Sequence, residues 1–150
     1  METTLASGDA VLELIPQRPP FVLVDTLVSA SDTRFHSRFT IPAHHVLVEH
    51  GRLLDAGIFE NAAQTAALGM GHLAKKHGAP PPLGFIGAIS KAELHGEPAA
   101  GDTIDTVVEI KHVVATAHVL EARVMHGEQT MATLELKVFL IDTEADGSTT

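Results

Sequence analysis

A chain of 150 residues carrying 10 Lys and Arg against 19 Asp and Glu has a formal charge of −9, which leaves no broad basic surface for a nucleic-acid backbone. It contains no cysteine, and this excludes disulfides, thiolate metal sites and a cysteine nucleophile together. Six Phe with no Trp or Tyr mean an aliphatic interior and few stacking platforms for single-stranded nucleic acid.

The length suits a single domain over residues 1–150, with the small, polar ends 1–8 and 143–150 expected to fray. There is no basic segment leading into an apolar one and no apolar run of about 18 residues, so neither a signal peptide nor a membrane span is expected and the default location is cytoplasmic. Asp9–Ile15 reads as a short helix with Asp9 as N-cap, stopped by Pro16. Phe21–Val28 is strand-like, and Ser31-Asp32-Thr33 turns it into a second strand, Arg34–Ile41. There Phe35 and Phe39 share a face opposite Arg34, His36 and Arg38, and Ser37 interrupts the alternation. A long helix is expected from about Leu53 to His77, nearly apolar all round in its first half, with its basic end complementing the helix dipole. Gly78 and Pro80-Pro81-Pro82 end it.

Four further strands follow at Leu83–Glu93, Thr103–Val113, Ala117–Met125 and Thr130–Ile141, separated by turns at Gly96-Glu97-Pro98, Gly101-Asp102 and His126-Gly127-Glu128. Six strands and one apolar helix predict an α+β architecture in which an antiparallel sheet curls around the helix.

Glu60 lies in the run Phe59-Glu60-Asn61-Ala62-Ala63-Gln64-Thr65-Ala66-Ala67, one acid among small and apolar residues. Burying a carboxylate without a partner is costly, so such a group is neutralised, hydrogen-bonded or used chemically. Gln64 is four residues on and shares its helix face. The bland alternative is an outward-pointing or structurally satisfied acid. His50 stands ten residues before Glu60, and His44 and His45 lie just upstream, so a histidine loop adjoins the acid-bearing helix as a general acid/base pair requires. His36, His112, His118 and His126 fall on or beside strands, and His72 and His77 fall near the helix end, without metal-ligand spacing. The adjacent His44 and His45 lack the further ligands a metal needs.

Three stretches in order resemble the hot-dog-fold 3-hydroxyacyl-carrier-protein dehydratases. Leu14-Ile15-Pro16-Gln17-Arg18-Pro19-Pro20-Phe21-Val22-Leu23-Val24-Asp25 is similar to the family's Leu-Pro-His-Arg-x-Pro-Phe-x-Leu-Val-Asp opening. Glu60-Asn61-Ala62-Ala63-Gln64 resembles Glu-Ala-x-Ala-Gln on its central helix, and Gly84–Leu94 followed by Gly101-Asp102 resembles the strand and turn beyond it. The shortened segment before the helix also resembles the divergent branch associated with aryl-polyene and flexirubin-type pigments, whose members need not keep the histidine.

The resemblance implies a hot-dog fold and Glu60 as the catalytic carboxylate, with a loop histidine as partner. Counting from the second strand selects His50, the preferred partner because Val46-Leu47-Val48 resembles the apolar stretch before the family's histidine; counting back from Glu60 lands near His45, the alternative. The chain departs from the family's Gly-His-Phe-Pro pattern there, because Glu49-His50-Gly51-Arg52 lacks the prolines. Ala56 or Gly57 at the helix start would polarise a thioester carbonyl, and Gln64, Phe85, Ile86 and Gly87 would bound the substrate. No cofactor or metal is implied. The expected ligand is an acyl-carrier-protein or coenzyme A thioester, and the expected assembly is a homodimer, or a group of dimers, joined edge to edge with Phe85-Ile86-Gly87 facing the other copy's helix. Arg18, Lys75, Lys76 and Lys91 form a basic patch for an acidic carrier if they meet in space. A hot-dog thioesterase and a noncatalytic acyl-binding subunit are the competing functions.

Overall fold

The computed structural model describes residues 3–141, so the expectation for 143–150 lies outside the described residues. In chain order the elements are β1 (Ala6–Ser7), α1 (Asp9–Leu12), β2 (Thr26–Ala30), β3 (Arg34–Thr40), β4 (Val48–Glu49), β5 (Arg52–Leu53), α2 (Asp55–Lys76), β6 (Leu83–Leu94), β7 (Thr103–Val114), β8 (Ala117–His126) and β9 (Gln129–Ile141). Seven strands form one antiparallel sheet in the order β1-β2-β3-β7-β8-β9-β6, and β4 and β5 form a separate hairpin. This curved sheet packed on one 22-residue helix is the hot-dog architecture.

The sheet buries α2 because the sequence supplies complementary surfaces. The inward residues of β3, β7, β8 and β9, including Phe35, Val108, Leu120 and Leu136, are fully buried against Ala62 and Ala66 of the helix. Small helix residues let the sheet approach closely. A Cβ at Gly69 would collide with the Phe35 ring, and one at Gly71 with the Leu14 carbonyl oxygen. Ser37 keeps the inward register of β3 despite being polar: it is fully buried and its Oγ lies 2.7 Å from Thr65 Oγ1.

Three local expectations need correction. Residues 6–7 are not frayed, since Ala6 and Ser7 pair with Leu27 and Thr26. The first helix ends at Leu12, and Gly8 takes the N-cap position while Asp9 stands in the first turn. The strand after Pro20 begins only at Thr26, because the backbone of 21–23 bonds to α2 side chains instead of a neighbouring strand. The β4–β5 hairpin was not expected at all. Its two loop residues are His50 and Gly51, both with positive φ (52° and 72°), as a tight type I′ connection requires.

Candidate active site

Glu60, Ala63, Ala67 and Met70 recur at helical spacing along one stripe of α2 and line a cavity of about 240 Å³. Phe85 and Ile86 of β6, Leu140 of β9, and Pro16 and Gln17 close it from the other side. Among the described lining residues, Glu60 and Gln17 alone carry strong hydrogen-bonding side chains, so the cavity suits a mainly apolar ligand bearing one polar feature. Glu60 is half-buried at this wall rather than enclosed by the helix's neighbours.

The acid is held by the amide expected beside it. Gln64 Nε2 donates to Glu60 Oε1 at 3.1 Å and to the Phe21 carbonyl at 2.8 Å, while Gln64 Oε1 accepts from the Leu23 amide at 2.7 Å. Gln64 is fully buried, its amide is spent on protein groups, and it does not line the Glu60 cavity. Asn61 adds a second clamp, donating to the Leu23 carbonyl at 2.7 Å and accepting from Thr106 Oγ1 at 2.6 Å. The Phe21-Val22-Leu23 strip is thereby fastened to the helix.

The histidines fall in different settings. His45 is half-buried, with Nε2 3.0 Å from the Val22 carbonyl and Nδ1 accepting the Leu47 amide at 3.0 Å. An amide can only donate, so Nε2 carries the proton of a neutral ring. This ring grips the same strip that Gln64 grips from the helix side, and it lines an open groove with Pro19, Pro20, Val22 and Val46. His50 projects from the hairpin tip with its side chain 90% exposed and Nε2 3.5 Å from Glu49 Oε1. Neither histidine lines the Glu60 cavity of the same chain.

At the helix start, the Gly57 amide already donates to the Leu54 carbonyl at 2.8 Å, so it is not a spare donor; Ala56, one turn before Glu60, is exposed. Phe85 and Ile86 border the cavity of their own chain, whereas Gly87 makes room for the Phe139 ring and does not line it. Phe85 stacks on that ring at 5.5 Å between centroids. The basic side chains are partly spent: Lys75 pairs with Glu13 at 3.1 Å, Lys91 with Glu135 at 3.4 Å, and Arg18 donates to the Ile15 and Gln17 carbonyls. Among the described residues no cluster of three His, Asp or Glu groups is arranged to hold a metal, and no helix is long and apolar enough to cross a membrane.

The profile of the ApeP-like family, described as ApeP dehydratase, matches residues 10–148. The chain belongs to this family. Membership places it among dehydratases and accounts for the three stretches that resemble dehydratase motifs. No curated protein sequence matches the chain. Among solved structures it is similar to the dehydratase heterocomplex ApeI:P from Xenorhabdus doucetiae, with a TM-score of 0.81 and 18% identity over 89% of this chain and 92% of that one. A hypothetical thioesterase with coenzyme A from Streptococcus pneumoniae aligns at a TM-score of 0.63 and 14% identity, covering 77% and 84%. The E. coli PaaI protein from the phenylacetic acid degradation operon gives 0.61 and 17%, covering 75% and 80%. At these identities the structural likenesses establish the hot-dog fold.

Two residues of this ApeP-like site were not singled out by the sequence reading. Asn61 was hidden inside a helix motif, although a second amide in an otherwise apolar run was the available signal. Gln17 stands where the resembling motif has His, and that departure marked it.

Proposed function

We propose that this ApeP-like chain dehydrates a 3-hydroxyacyl thioester, carried by an acyl-carrier protein or coenzyme A, to the trans-2-enoyl thioester, with Glu60 as the proton-transferring group. The observation that carries this reading is a single carboxylate, oriented by Gln64, at the wall of an apolar cavity. As carboxylate, Glu60 takes the proton from C2 while charge moves onto the thioester carbonyl. As acid, it returns that proton to the C3 oxygen as the C3–O bond breaks, so that water leaves, the C2=C3 bond forms and the carboxylate is restored. The amide of Ala56, an exposed residue on the face shared with Glu60 and at the positive end of α2, is the donor we assign to the carbonyl.

Of the two candidate histidines, His45 fits the reading better than His50. His50 serves the hairpin turn and faces solvent, whereas His45 secures the strip that Gln64 also holds. Its Nδ1 is occupied by Leu47, so within one chain we assign both proton transfers to Glu60 and a positioning role to His45.

The assembly we propose is a homodimer formed along β6. All twelve residues of this edge strand are exposed, among them Leu83, Phe85, Ile86, Ile89 and Leu94, and an unpaired apolar edge of that length is covered by pairing with another strand. A second reading is pairing along the same edge with a different hot-dog chain that brings a histidine to Glu60, favoured by the ApeI:P likeness and by the occupied His45 ring. The test is to assay hydration and dehydration on carrier-protein and coenzyme A thioesters of several lengths, using the purified chain alone and then with a second dehydratase chain. Turnover by the chain alone supports the first reading, and turnover only on mixing supports the second. Release of free acid would instead make it a thioesterase.

A further inference from the structure

Gln17 Oε1 is buried without a hydrogen-bond partner among the described residues, and Gln17 lines the cavity that also holds Glu60. An unsatisfied buried acceptor is costly and therefore asks for an explanation. Its backbone is not free to swing the side chain away. The Arg18 guanidinium donates to the Ile15 carbonyl at 2.8 Å and to the Gln17 carbonyl at 2.7 Å, pinning the chain on both sides of Pro16. The remaining lining is Ala, Met, Pro, Gly, Phe, Ile, Val and Leu, none of which offers a side-chain donor to this oxygen.

We propose that Gln17 is a substrate-binding residue whose terminal amide turns about its last side-chain bond as the acyl chain enters, so that its oxygen accepts a hydrogen bond from the C3 hydroxyl and sets that hydroxyl beside Glu60. The identity of the ligand rests on the dehydratase reading above. The chemistry is complementary: an amide oxygen accepts, a hydroxyl donates, and the hydroxyl keeps a lone pair for the proton that Glu60 delivers. A saturated acyl chain of the same length fills the cavity but leaves Oε1 unpaired, so Gln17 discriminates by the presence of the hydroxyl.

The experiment compares Gln17→Met, which keeps the side-chain length and removes the acceptor, with Gln17→His, which keeps an acceptor. Binding of 3-hydroxyhexanoyl-coenzyme A and hexanoyl-coenzyme A is measured calorimetrically in a Glu60→Gln background, so that substrate is not consumed. The ratio of the two dissociation constants should shift against the hydroxylated ligand by roughly three- to tenfold in Gln17→Met, the worth of one neutral hydrogen bond, and by less in Gln17→His. An unchanged ratio in Gln17→Met overturns the inference, whether both ligands bind as before or both weaken, and so does a change confined to the sedimentation of the protein. If the otherwise unaltered chain shows no dehydration yet the ratio shifts, the activity fails and the hydroxyl contact stands. Absence of binding by either thioester to any variant overturns both.

Discussion

Gln64 Nε2 lies 3.1 Å from Glu60 Oε1, one helical turn away, while the same nitrogen also donates to the Phe21 carbonyl and Gln64 Oε1 accepts from the Leu23 amide. The orientation of the carboxylate and the attachment of the 21–23 strip to the helix are therefore one structural unit. A change at either end is felt at the other.

Glu60→Gln should leave the fold intact and lower turnover by about 10²–10⁴-fold, the usual worth of general acid–base catalysis. The isosteric amide accepts from Gln64 as the acid does but transfers no proton. Single-turnover assays beside a thermal melt check this, and near-unchanged turnover by the folded variant removes Glu60 from the mechanism.

Gln64→Leu should both destabilise the protein and reduce activity. It strips partners from the Leu23 amide and the Phe21 carbonyl, and with buried groups costing about 1–3 kcal/mol each the loss should be at least about 2 kcal/mol. Denaturant titration measures this, and a change below about 0.5 kcal/mol would show that solvent replaces both bonds.

His45→Ala should lower activity more than His50→Ala, since only His45 holds the Val22 carbonyl. A positioning role predicts a shape of the pH–rate profile that survives His45→Ala with reduced amplitude, whereas loss of one limb identifies His45 as the base. If His50→Ala is the more damaging, the assignments must be exchanged.

Ile89→Lys in the middle of β6 should convert the proposed dimer to monomer, because each pairing would bring two added charges to an apolar edge. Sedimentation across a dilution series reads the outcome. A chain that is already monomeric and fully active at assay concentration contradicts the proposed assembly.

Gly71→Ala should cost about 1–3 kcal/mol of stability although alanine is the better helix former, because the new methyl meets the Leu14 carbonyl and pushes backbone against backbone. Thermal melts check the sign, and a rise in melting temperature would mean that the segment after α1 shifts freely.

Much of the architecture was legible in the residues themselves. Apolar alternation in 34–41 and 103–141, the small-residue helix and its proline stop are local patterns, and local patterns specify strands, helices and their order. The pairing of Glu60 with Gln64 was equally readable, since a four-residue spacing on a helix is a fixed distance. What the tertiary structure alone decided are the contacts between segments remote in sequence. Phe21–Leu23 resembles a strand by composition, yet its backbone bonds to Asn61 and Gln64 about forty residues away and leaves the sheet. His45 and His50 both suited the motif by counting, yet His50 sits at the tip of a two-residue hairpin facing solvent, while His45, ahead of that hairpin, bonds inward to the Val22 carbonyl. Spacing along the chain measures neither burial nor direction, because both depend on which distant residues the fold brings alongside.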